Sequence, residues 1–249
     1  VENWRRTVAA ALGCEAERLY FTACGTEGDN WAIQAACWQN RHVGRHIVTT
    51  AVEHSAVLEC CKWMEQQGYE VTRLVPDGNG NITAEQVLSA VRSDTALVSV
   101  MMVNNELGNV YPIADIAKGL AAKNPKTLLH TDAVQAVGAI PVDVKELGVD
   151  MLSMSAHKFN GPKGVGVLYC RKGVWPQNLI DGGSQEARHR AGTENVAGIA
   201  GMGKALEMAT THLEERMAHE QELRDYVIDR ILKNIPEARL NGGVEPRLP

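Results

Sequence analysis

A chain of 249 residues is long enough to bury a large core without disulfide or metal staples. Its net charge of -5 supplies no broad cationic face, which argues against nucleic acid or an anionic membrane surface as partner and leaves a small ligand as the expectation. Six cysteines (Cys14, Cys24, Cys37, Cys60, Cys61, Cys170) without C-x-x-C spacing argue against zinc and a disulfide framework; with no secretory leader and no bilayer-length apolar run, a reducing, cytoplasmic setting is expected.

The chain opens in a helical pattern, with Trp4, Val8 and Leu12 spaced by four, and is expected to be a piece of something longer. Short β-branched apolar runs then alternate with amphipathic stretches, the pattern of βαβ units around a mostly parallel sheet flanked by helices, an α/β fold. Seven strands are predicted, at Arg18–Ala23, His46–Val52, Glu70–Val75, Ala96–Val103, Thr127–Thr131, Met151–Ser155 and Val165–Cys170. Helices are predicted at Glu27–Gln39, Ser55–Gln67, Ala84–Val91 and Ile113–Ala122, the second and third entered by Ser or Thr near the cap. From Glu194 to about Asn234 strand signals stop and Ile199, Met202, Leu206, Ala209 and Leu213 recur at helical spacing. One long helix, or two in series, should lead out of the domain there, ending before Pro236, with a turn at Asn241-Gly242-Gly243. The expected division is a large domain over 1–205 and, over 206–249, a long helix and the incomplete start of a smaller C-terminal domain.

Ligands of open α/β sheets sit at the carboxyl ends of the strands, and the predicted exits are rich in polar residues. The first leaves through Cys24-Gly25-Thr26-Glu27, where a glycine turn feeds a helix whose amides at Gly25 and Thr26 could seat a phosphate; the alternative is an ordinary turn with Thr26 as cap and Asp29 closing a capping box. Others leave through Glu53-His54, Asn104-Asn105-Glu106, and Asp132 with Gln135 three residues on. An aspartate at such a mouth is costly unless it meets a cation, and a protonated pyridine nitrogen is one candidate. In Ser155-Ala156-His157-Lys158-Phe159-Asn160-Gly161-Pro162-Lys163-Gly164 a lysine stands where a strand gives way to a Gly-Pro turn, a position suited to a Schiff base. Ser155 and His157, two apart, would share one side of the extended chain. The alternative for Lys158 and Lys163 is solvated loop charge.

These motifs together, with Val103-Asn104-Asn105-Glu106-Leu107-Gly108 before them and Arg190-Ala191-Gly192-Thr193-Glu194-Asn195 after, resemble the cysteine desulfurase family of fold-type I, class V aminotransferase-like enzymes that use pyridoxal 5'-phosphate (PLP). The resemblance covers nearly the whole chain and implies that 1–205 is the PLP-binding, transferase-like large domain. It implies that Lys158 carries PLP and moves protons, that Asp132 pairs with the pyridine nitrogen, and that Gln135 and Asn105 lie by the ring's phenolic edge. His54 is implied to stack on the ring and assist acid-base steps; Gly25, Thr26, Ser155 and His157 to hold the phosphate; and Thr193 to reach the phosphate of a neighbouring subunit, hence a homodimer. The family converts L-cysteine to L-alanine and a protein-bound persulfide, which passes to a sulfur acceptor or scaffold protein in routes such as iron-sulfur cluster assembly. The persulfide cysteine and the carboxylate-binding arginine of the family are expected beyond Pro249, so the fragment alone is expected to be inactive. No cysteine present matches the persulfide motif, and Cys24 is read as structural. The rival readings are another fold-type I enzyme, a selenocysteine lyase or aminotransferase, and a scaffold module without cofactor.

Overall fold

The short apolar runs pair into one seven-stranded sheet in the computed structural model, which describes residues 1–243 and 245–249. The strands are β1 (Leu19–Thr22), β2 (His46–Thr50), β3 (Glu70–Leu74), β4 (Thr95–Ser99), β5 (Leu128–Asp132), β6 (Met151–Ser155) and β7 (Gly166–Cys170), in the order β1-β7-β6-β5-β4-β2-β3. Only β7 runs against its neighbours, pairing antiparallel with β1 and β6, while the other pairings are parallel. Residues of β2 and of β4–β7 are buried throughout, as parallel strands covered on both faces must be. The edge strand β3 is half-buried.

Helices cover both faces. On one, α1 (Glu2–Ala11), α4 (Ala84–Ala90), α5 (Ile113–Lys123) and α7 (Val196–Thr211) share a core that includes Val8, Val87, Ile116 and Met202. On the other, α2 (Gly25–Gln39) and α3 (Ser55–Gln66) pack Trp31, Ile33, Val57 and Cys61 against Ile47, Leu97 and Met151. Gly28 lets α2 ride close to β6, since a Cβ there would stand 3.1 Å from Ser153 Oγ. A single turn, α6 (Val144–Leu147), is capped by Asp143; its four residues are too few for a periodic signal in sequence.

Each expected strand and helix is present, with differences at the ends. The apolar run Val100–Val103 belongs to the exit of β4 rather than to the strand; it is buried like a strand, which hid the boundary. The α3 cap is His54, whose Nδ1 accepts from Ala56 N at 3.1 Å, and not Ser55, whereas Thr83 caps α4 as expected. The C-terminal stretch is two helices, α7 and α8 (Leu213–Asn234), broken at His212. Helix α7 runs unbroken across the expected 205/206 division, with Leu206 and Ala209 still buried, while α8 buries none of its described residues. Among the described residues no helix is long and apolar enough to cross a membrane.

Candidate active site

The exits of β1, β2, β4, β5 and β6 converge on a cavity of about 250 Å3. Its walls bring together Gly25, Thr26, His54, Asn105, Asp132, Gln135, Ser155, His157 and Lys158. Of the residues given a catalytic or cofactor-binding role in sequence, Thr193 alone lies elsewhere, in a neighbouring cleft beside Arg190 and Gly192. Four further wall residues, Cys24, Asp29, Met101 and Val134, were not assigned to a ligand. Asp29 was hidden by its position one turn into a helix, where an acid is ordinarily a solvated or capping group. A larger cleft of about 490 Å3 lies apart from these exits, beside Arg5 and Glu186, and among the described residues no lysine lines it.

At the α2 start the capping alternative is overturned. The helix begins at Gly25, with extended Cys24 at the cap position and no side-chain cap bond, so Thr26 is inside the first turn and Asp29 is buried. The first amides are left for an external acceptor, and an anion suits them. Gly25 also keeps the approach open: a Cβ there would meet Val134 Cγ2 at 2.6 Å.

Beyond β6 the chain turns at once into a 3-10 segment, Ala156–Phe159, so Ser155 and His157 are not two residues of one extended strand. The turn nonetheless joins them, Ser155 Oγ lying 2.9 Å from His157 Nδ1. Burial first, then the charges of Lys158 and Lys163, hold the His157 imidazole below its usual range, so it meets the cavity neutral. Lys158 follows on the same turn, exposed, and its Nζ makes no hydrogen bond or ion pair among the described residues. On the wall of the same cavity, the buried Asp132 carboxyl accepts one bond among the described residues, from Val134 N to Oδ1 at 2.9 Å. Burial pushes its carboxyl above the usual range, against the opposing pull of the Val134 amide, His54 and Lys158. Such a group is waiting for a cation.

Two more acids stand near. Glu53 accepts from Thr50 Oγ1 at 2.7 Å and Met101 N at 3.0 Å through Oε1, its Oε2 has no partner among the described residues, and burial pushes its carboxyl up to about 8. Asp29 is raised well above the usual range by burial and then by Asp132. The loop carrying Thr193 is tied down by two ion pairs. Arg190 bonds Glu27 at 3.0 Å, and buried Arg5 bonds Glu186 at 2.9 Å.

These residues fit PLP by their chemistry: a free primary amine, a buried acid short of a cation, and uncapped helix amides beside hydroxyl and imidazole groups share one cavity.

The family model described as aminotransferase class-V matches residues 1–249. A protein named cysteine desulfurase IscS from Methanosarcina thermophila is 50% identical over 244 residues, covering 98% of this chain and 60% of its own length. One of the same name from Dictyoglomus turgidum is 49% identical over 249 residues, covering 100% and 63%. Among solved structures, a NifS-like protein matches with TM-score 0.90 at 41% identity, over 93% of this chain and 64% of that one. DndA from Streptomyces lividans matches with TM-score 0.88 at 35% identity, over 97% and 68%. The chain thus spans about 60% of the length of the curated relatives it matches, and its sheet is that of the large domain of PLP-dependent transferases. From the family model's match along its full length, the chain belongs to the aminotransferase class-V family.

Proposed function

We propose that this chain is the cofactor-binding large part of a PLP-dependent cysteine desulfurase. The observation that carries the reading is that Lys158 and buried Asp132 line one strand-end cavity together with an uncapped helix start. The names of the relatives, cysteine desulfurase IscS, support the substrate class, L-cysteine. When bound, PLP supplies an electron sink for charge developing on the substrate α-carbon.

In this reading Lys158 Nζ holds the cofactor and afterwards moves the proton at the substrate α-carbon. Asp132 holds the proton on the ring nitrogen, and the pairing relieves the burial that raises its carboxyl. His54 Nδ1 is committed to the Ala56 amide, so Nε2 is the nitrogen left to carry or exchange a proton beside the ring. Gly25 and Thr26 amides, Ser155 and neutral His157 hold the phosphate. Asn105 and Gln135 orient the ring's oxygen-bearing edge. Thr193 serves the phosphate of a second copy, in a homodimer. Residues 1–205 form the large domain and 206–249 lead into a smaller one. The sulfur leaves as a persulfide for an acceptor or scaffold protein, as in iron-sulfur cluster assembly, in a cytoplasmic setting.

The test is deuterium exchange. The PLP-loaded chain in deuterium oxide should exchange the α-hydrogen of L-alanine, read by mass spectrometry, and Asp132→Asn should keep the visible cofactor band while losing most of the exchange. Undiminished exchange in that variant, or no band in the unsubstituted chain, contradicts the reading.

A further inference from the structure

The first turn of α2, where Gly25 and Thr26 offer their amides, also carries an acid that the roles above do not use. Glu27 is the one acidic residue of that turn, and a carboxylate there competes with any anion for the positive end of the helix. Its partner is Arg190, from the loop ahead of α7. The guanidinium meets both oxygens, Nε to Oε1 at 3.0 Å and Nη2 to Oε2 at 3.4 Å. The Arg190 and Glu27 side chains are 22% and 20% exposed, so solvent screens the pair only in part.

The loop has anchors besides Arg190. It is pinned through Glu186, which accepts from Arg5 and from Phe21 N. It is pinned again by Leu179 N donating to His189 O at 2.7 Å and Ala191 N to Ile180 O at 3.0 Å. At its far end Asn195 Nδ2 donates to Gly164 O at 3.2 Å. What the Arg190 side chain adds to these is positive charge, delivered to one carboxylate. Among the described residues no other cation stands within ion-pair distance of Glu27.

That charge matters because of what surrounds the helix start. Beside Gly25 and Thr26 the cavity wall carries two carboxyl groups, of Asp29 and Asp132, and one lysine, Lys158. A phosphate brings further negative charge to this place. An unpaired carboxylate on the residue next to Thr26 would repel it, whereas a carboxylate closed into an ion pair acts at that range as little more than a dipole.

We propose that Arg190 is a positioning residue of the phosphate seat: by closing Glu27 into an ion pair it cancels the negative charge in the first turn of α2 and leaves the Gly25 and Thr26 amides to an anion. The inference rests on the reading that this helix start seats the cofactor phosphate. It gives Arg190 a use within its own chain, apart from the role of Thr193 three residues on. It also requires that affinity for an anion follow the local charge, rising when the acid is removed and falling when the cation is removed.

The experiment is a charge cycle: Arg190→Met, Glu27→Gln and the double variant, each titrated with inorganic phosphate by calorimetry at neutral pH and low salt, and with PLP by its visible band. Arg190→Met is expected to bind phosphate about tenfold more weakly than the unsubstituted chain. Glu27→Gln should bind it more tightly, and the double variant should return to within about twofold of the unsubstituted chain. A purely structural pair would instead weaken binding in both single variants. Weaker binding in Glu27→Gln, or unchanged binding in Arg190→Met, overturns the proposal, and Glu27→Gln decides it where Arg190→Met fails to fold. Absence of a visible PLP band in the unsubstituted chain would sink the cofactor reading while the phosphate series still decides the role of Arg190. Absence of phosphate binding in the unsubstituted chain would remove the seat, and the proposal with it.

Discussion

Glu53 precedes His54, and its enclosed carboxyl is the side chain on which pH should act most visibly. Burial pushes it from 4.5 up to about 8, so folding favours its protonated form. The stability this lends is fully present below about pH 4.5 and is lost as pH rises through about 8. His130 works from the other side: burial lowers it from 6.5 to about 3, so its contribution is present above about 6.5 and lost as pH falls towards 3. Stability should therefore sag on both flanks. Denaturant midpoints measured from pH 5 to 9 should fall less steeply with rising pH in Glu53→Gln than in the unsubstituted chain, a difference of order a few kcal/mol across the window. Parallel curves would show that Glu53 does not titrate in this range. At this scale the sequence was readable for His54, Asn105, Asp132, Gln135, Ser155, His157 and Lys158, all at strand exits and all on the cavity wall. The place of Asp29 on the cavity wall, 3.7 Å from His130 of β5, was not readable, because helical periodicity does not reveal it.

Among the elements, α1 and the loop ahead of α7 are joined by a pair that no local pattern announced. Arg5 and Glu186 are 181 residues apart, yet the guanidinium meets both carboxylate oxygens, at 2.9 and 3.0 Å, and also donates to Leu19 O at 2.8 Å. Glu186 Oε2 in turn accepts from Phe21 N at 2.9 Å, so the pair fixes β1 as well. Glu186, Ala187 and Arg188 all have positive φ, at 46°, 55° and 73°, a conformation that costs non-glycine residues about 1–3 kcal/mol each and persists only when its surroundings hold it. Arg5→Ala would leave Glu186 buried and unpaired, and thermal or denaturant unfolding should show a loss of about 3–5 kcal/mol. A loss within about 0.5 kcal/mol would mean that the loop is held by other contacts. The helix and strand periods were legible because each element has one buried stripe or two buried faces. This long-range pair was not, since its partners share no period and no motif.

Across the whole molecule, burial falls away from the sheet towards the C-terminal helix. Helix α7 is anchored through Ile199, Met202 and Leu206, whereas α8 exposes Leu223, Tyr226, Val227 and Ile231 and is tied to the body by polar contacts from Arg216 to Gly138 and from Arg224 to Leu248. Hydrogen exchange should be fast along α8 and slow along α7, because local opening of α8 costs little packing. Equal protection of the two would contradict that gradient. The α/β alternation and strand count were legible from β-branched runs, and the two-helix C-terminus from its spacing. The antiparallel insertion of β7 between β1 and β6 was not, since strand order depends on pairings that the pattern of one strand does not encode. The account as a whole depends on one amine and one acid sharing the cavity at the strand ends. Its most direct test is to add PLP to the chain, fix it with borohydride, and map the modified peptide by mass spectrometry. The label is expected on Lys158 and should be absent from Lys158→Ala. A label on another lysine, or one retained in the alanine variant, would refute it.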